Sequence, residues 1–258
     1  MRMSDTLPIL FVGHGSPMNA IEDNHVSRTW GEIGRALPRP ELIVCMSAHW
    51  MTSGSFITSS LHPQIIYDFY GFPEALYHVP YPALGDPQAV RDICSQTPAI
   101  QPSTDWGIDH GAWSVLVKMF PAADIPVVQI SIDMSANPRK QFELMQSLRD
   151  LRNKGILFIG SGNIVHNLGA LRLNGKPHDW AIEFESIVQT NIEKNNIESL
   201  IEYQNLGPSA SLSIPTDDHY RPLINTLALL SKTETPQFFN QGIDLGAVSM
   251  LSVVWGGK

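Results

Sequence analysis

Charge is scarce in this sequence. Of its 258 residues, 17 are Lys or Arg and 25 are Asp or Glu, a charged fraction of 16%. No stretch gathers the basic residues into a block, so neither nucleic acid nor an anionic membrane is expected as the main partner. Cysteine is scarcer still, with Cys45 and Cys94 alone. They form no Cys-x-x-Cys motif and no disulfide framework, which points to a reducing, cytoplasmic setting. No apolar run approaches the roughly 18 residues that mark a membrane-spanning helix. The apolar run near the N-terminus is too short for the core of a signal peptide.

What remains is an ordinary globular composition. Hydrophobic residues make up 43% of the chain, with 19 Gly and 19 Pro. That supports a large buried core. No repeat, low-complexity tract or linker interrupts it, so residues 1–258 are expected to form one domain. The net charge of -8 names no substrate. The nine histidines are more informative, because several sit at the ends of apolar runs or beside glycine.

The first apolar run, Pro8 to Val12, reads as a buried strand and empties into Gly13-His14-Gly15-Ser16-Pro17. Glycine on both sides of His14 allows a tight turn and close approach to the backbone. A helix is expected over His25 to Ala36, ended by Leu37-Pro38-Arg39-Pro40. A second buried strand, Leu42 to Met46, then leads through Ser47 and Ala48 to His49. Strand, helix, strand predicts a parallel pair, with His14 and His49 leaving the same sheet edge. That edge is where open α/β sheets bind ligands.

Ser55 to Ser60 reads as a short strand, and residues 62–81 as a long loop rich in Pro and aromatics. Such a loop either packs on itself or covers a bound molecule. Helices are expected from Pro87 to Gln96 and from Ser114 to Phe120. Before the second, Asp109-His110-Gly111 reads first as a cap, with His110 a candidate for a cleft. Ile125 to Ile132 is a third buried strand, and one amphipathic helix is expected from Asn137 to Lys154, stopped by Gly155. A fourth strand, Ile156 to Ile159, exits through Gly160-Ser161-Gly162-Asn163 towards His166. Helices are expected over Trp180–Lys194 and Asn196–Tyr203, and a loop over Gly207–Thr216. Asp217-Asp218-His219-Tyr220-Arg221-Pro222 then opens a helix to Leu230, which puts His219 near a helix start. Val248 to Trp255 reads as the last strand.

Four histidines thus become candidates for one site: His14, His49, His166 and His219. Imidazoles without thiolates suit Zn, Fe, Cu or Ni. Four around zinc would close a structural tetrahedron, whereas three plus a nearby fourth would leave room for a reactant and a group to move protons.

The motifs Gly13-His14-Gly15-Ser16-Pro17, Ser47-Ala48-His49-Trp50, Asp109-His110-Gly111, Gly162-Asn163-Ile164-Val165-His166-Asn167-Leu168, His219-Tyr220-Arg221-Pro222-Leu223 and Ser249-Met250-Leu251-Ser252-Val253, in this order, closely resemble the class III extradiol ring-cleavage dioxygenases, the LigB superfamily. Within it they are similar to the DOPA-dioxygenase type. The resemblance implies a three-layer α/β/α domain around a mixed, largely parallel central sheet. It implies a mononuclear non-haem metal, Fe(II) for activity and often Zn(II) as purified. His14 and His49 match metal ligands, and His219 the third, with His166 a fourth ligand or the acid/base. The wider superfamily has a carboxylate as third ligand, and Asp217 and Asp218 stand beside His219 here. His110 would bond O2 or substrate. The implied reaction opens a DOPA-like catechol with O2 to a muconate semialdehyde. Two rivals share the ligands or fold: a zinc-dependent hydrolase and a non-enzymatic, Memo-like binding protein. Lys118, Arg172 and Arg221 could meet a substrate carboxylate but read first as surface charges.

Overall fold

A computed structural model describes residues 6–172, 175–231 and 233–256. Its centre is a six-stranded sheet in the order Val127–Gln129, Leu42–Ser47, Ile156–Gly162, Ile9–Gly13, Ser252–Trp255, Pro236–Phe239. The first four strands are mutually parallel; Ser252–Trp255 runs antiparallel to Ile9–Gly13 and to the edge strand. The sheet is therefore mixed and mostly parallel.

Side chains alternate across these strands, as strand geometry requires. Ile9 and Phe11, Val44 and Met46, Phe158 and Trp255 enter one apolar cluster. Leu10 and Val12, Ile43 and Cys45, Leu157 and Val254 enter another on the opposite face. The first cluster is closed by helices Pro138–Gln146, Asp179–Glu193 and Arg221–Ala228, through Phe142, Phe184 and Leu223 among others. The second is closed by His25–Ala36 and His110–Met119, through Trp30 and Trp113. Helices on both sides make three layers. Buried on both faces, the central strands are continuous apolar runs, which is why they are visible in the sequence.

Several expectations are corrected. The two strands that lead to His14 and His49 are not neighbours: Ile156–Gly162 lies between them and pairs in parallel with both. The shared edge survives because all three point the same way. The helix expected from Ser114 starts at His110, where Asp109 accepts from the Ala112 N–H. The expected strand 125–132 keeps regular pairing only at Val127–Gln129; Ile132–Asp133 turns aside to pair with Met51–Thr52. The expected helix 137–154 breaks after Gln146, where the Ser147 hydroxyl bonds the Leu144 carbonyl, and resumes as a tighter 3-10 turn, Arg149–Lys154. Within the expected loop 207–216, Pro208–Ser213 is helical, with Gly207 at φ 106° ahead of a proline that starts the helix. The last expected strand divides into Val248–Ser249 and Ser252–Trp255, since Met250 turns its N–H to the Gly242 carbonyl.

Among the described residues no helix is long and apolar enough to cross a membrane.

Candidate active site

The parallel strands deliver their histidines to one end of the sheet. His14 follows Gly13 directly, and Asn19 holds its carbonyl at 3.3 Å. His49 sits in the turn after Leu42–Ser47, its N–H bonded to the Ser47 hydroxyl. Beyond Ile156–Gly162, His166 makes an isolated bridge with Val248. His219 lies just before helix Arg221–Ala228, and its carbonyl accepts from the Asn163 N–H at 2.9 Å. Gly162 makes that approach possible: a Cβ there would lie 2.2 Å from the His219 carbonyl oxygen.

His14, His49 and His219 form a near-equilateral triangle. Their ring centroids are 5.2, 5.3 and 5.1 Å apart, and each offers a nitrogen within 4.8 Å of the others. The Nε2 atoms of His14 and His49 are 3.3 Å apart. The other nitrogen of each ring has an oxygen partner. His14 Nδ1 meets Ser161 Oγ at 3.1 Å, and that hydroxyl gives its own hydrogen to the Gly111 carbonyl, so it accepts from His14. His49 Nδ1 pairs with Asp68 Oδ2 at 3.1 Å, and His219 Nδ1 with Asp218 Oδ2. Nδ1 protonation leaves an Nε2 lone pair on each ring. Lone pairs converging at such distances repel unless a cation lies between them. Three imidazoles oriented by oxygen partners are the donor set of a mononuclear transition-metal site, so the residues fit one.

His110 and His166 flank the triangle. His110 stands 3.9 Å from His49, centroid to centroid, with Nδ1 2.9 Å from Asp68 Oδ1. Its N–H also donates to that carboxylate at 3.0 Å. His166 stacks on His219 with centroids 3.4 Å apart and planes 10° off parallel. It falls outside the triangle and groups with Asp218 and His219 instead.

Burial dominates the electrostatics. It lowers His14 well below the ordinary imidazole value, aided by the other rings, and lowers His166 to about 3. His219 falls to about 4, burial outweighing Asp218. His110 is lowered too, burial outweighing the pull of Asp68. His49 alone is raised: burial opposes this, but its bond to Asp68 and the charges of Asp109, Asp68 and Asp218 prevail. Burial would raise Asp68 and Asp218, yet their histidine partners hold both carboxyls far below the carboxylate range.

Above the histidines opens a cavity of about 860 Å³, within the range of small-molecule sites. Phe69, Tyr70 and Phe72 of the aromatic loop form one wall; Leu168, Leu171 and Pro215 contribute to the rest. The loop thus lines the cavity, and it brings Asp68. Sequence reading passed over that carboxylate, which has no spacing signal and is surrounded by aromatics. It also passed over Ser161 as the partner of His14. Of the basic candidates, Arg221 is not on the surface: it is buried, paired with Asp217, and bonded to the Asp133 and Ala136 carbonyls. Lys118 and Arg172 bond to the Glu22 and Lys176 carbonyls and are not among the cavity-lining residues.

The family described as the catalytic LigB subunit of aromatic ring-opening dioxygenase matches residues 7–249. This chain belongs to the LigB family. Similar relatives are the 4,5-DOPA dioxygenase extradiol of Escherichia coli K12, 42% identical over 98% of this chain and 97% of that one, and that of Beta vulgaris, 32% identical over 93% and 92%. The crystal structure of an uncharacterised Escherichia coli K12 protein superposes with a TM-score of 0.84 at 38% identity, covering 96% of this chain and 99% of the other. The LigB fold is thus shared throughout, and family and relatives support an extradiol dioxygenase activity.

Proposed function

We propose that this LigB-family chain opens a DOPA-like catechol with O2 at a single metal ion held by His14, His49 and His219. The observation that carries the reading is the convergence of three imidazole nitrogens, one each from His14, His49 and His219, at the floor of a cavity walled by aromatic rings. When bound there, Fe(II) would supply the redox chemistry that joins O2 to the ring, which Zn(II) cannot.

The chain's own residues do the rest. Asp68, Asp218 and Ser161 hold the ligand rings in one tautomer and one orientation. Phe69 and Phe72 exclude water and lie beside a planar substrate. His166, held by its stack on His219 rather than within the triangle and kept neutral by burial, would take a hydroxyl proton from a catechol made more acidic by a bound metal and return it to the opened product. His110, fixed by Asp68, points a ring nitrogen at the reacting end of the diol or at O2.

The test is oxygen uptake. Protein loaded anaerobically with Fe(II) is mixed with a catechol panel and O2, and the expected result is O2 consumption with a yellow ring-opened semialdehyde. Turnover of an ester or amide without oxygen, and none of any catechol, would establish the hydrolase reading instead. Purified protein with no affinity for a divalent metal would favour the binding-protein reading.

A further inference from the structure

The wall of the cavity has an unequal charge. Among the described residues its lining includes Asp68, Asp218 and Asp244 but no Lys or Arg. Two of these carboxylates are committed, Asp68 to His49 and His110 and Asp218 to His219. Asp244 is exposed, and its Oδ1 accepts from the backbone N–H of Leu245 at 2.8 Å. Among the described residues no ion pair engages it.

Backbone register fixes where it stands. His166 bridges Val248, and Val248 pairs with Asp244, both antiparallel. Residues directly opposite in a ladder present their side chains on the same face. His166, Val248 and Asp244 therefore share one face, and all three line the cavity. Two cross-strand steps put the Asp244 backbone roughly 10 Å from that of His166. This places a free carboxylate at the rim, above the histidine floor. Asp244 also lines an adjoining cavity of about 570 Å³ that shares Ser16 and Leu245 with the first and contains Glu22.

We infer that Asp244 selects catechols that carry a cationic amine tail, pairing with the ammonium at the rim while the diol lies on the histidine floor. The inference rests on the catechol reading above and narrows it. A tail with a carboxylate and no amine at the same place would meet Asp244, with no cation among the described lining residues to offset it.

Binding to the Zn(II)-loaded protein tests this without turnover. Calorimetry would compare dopamine, 4-ethylcatechol and 3-(3,4-dihydroxyphenyl)propionate, which differ in the charge of the tail. The expected order of affinity is amine, neutral, acid. Asp244→Asn should cut the ratio of dopamine to 4-ethylcatechol affinity roughly three- to fivefold, the scale of an ion pair near solvent, and Asp244→Glu should retain it. Added salt should weaken dopamine more than 4-ethylcatechol in the wild-type protein, a readout that needs no variant. Equal affinity for all three tails, or an Asp244→Asn ratio equal to wild type, overturns the role of Asp244 and leaves the catechol reading standing. Failure to bind any catechol removes both.

Discussion

Asp68 joins two histidines that the chain itself keeps far apart. One carboxylate oxygen meets His49 Nδ1 and the other meets His110 Nδ1, so a single side chain orients two rings. Replacing it by Asn leaves the shape but removes the charge that lies beside both Nδ1 atoms. Partners of this kind are worth roughly 10- to 100-fold in metal affinity or activity. Asp68→Asn is therefore expected to weaken metal binding by that factor, read by competition titration against a chromophoric chelator. An unchanged affinity would mean that packing alone positions His49. Gly111 tightens the same corner: a Cβ there would come within 2.5 Å of the Ser47 hydroxyl oxygen and 2.9 Å of the His49 ring.

Helix His110–Met119 carries that corner, and its N-cap has more than one task. Asp109 is fully buried; it accepts from the Ala112 N–H, the Ser47 hydroxyl, the Gln129 amide and the Trp106 indole. The Asp109 N–H in turn donates to Gln129. Asp109→Ala removes the cap and strands three donors. Loss of a cap costs about 1 kcal/mol and each stranded buried donor about 1–3 kcal/mol. A fall of at least about 2 kcal/mol in urea denaturation is expected; a smaller one would show that water replaces the carboxylate.

Much of this was legible before folding. The runs at 8–12, 42–46 and 156–159 lie in strands because burial on both faces demands uninterrupted apolar residues, and each heads towards a histidine. The cap at Asp109 was legible from its residue type. Asp68 was not, because only the path of an irregular loop brings it under His49. Helix Pro208–Ser213 was hidden by its small polar residues, which read as loop until Gly207 and Pro208 are seen as a start signal. Strand order was hidden as well, since local pattern says nothing about which strand is inserted between two others.

At the scale of the whole molecule, the far end of the sheet is tied together by one buried cation. Arg152 is 1% exposed; it bonds the Leu7 and Leu229 carbonyls and pairs with Glu234. It thereby joins the segment before the first strand to the chain ahead of the edge strand. Burial would raise the Glu234 carboxyl, but Arg152 and the Ser231 N–H hold it below its ordinary value. A carboxyl lowered by folding stabilises fully above its unfolded pKa of about 4.3 and loses that contribution as pH falls through the folded value. Glu234→Gln leaves Arg152 buried and unpaired, a loss of about 3–5 kcal/mol at neutral pH. The gap from wild type should close as the medium is acidified below about pH 4, measured by thermal unfolding across pH. A gap independent of pH would show that Glu234 acts by packing.

The strand that separates the two leading histidine strands has a consequence for biosynthesis. A ribosome that has made residues 1–150 has already supplied His14, His49 and Asp68, but not Ile156–Gly162, the piece that goes between their strands. Until that piece arrives, the two early strands have no common neighbour to fix their spacing, and His219 has yet to be translated. The three imidazoles of the proposed centre thus reach their final spacing only once most of the polypeptide exists.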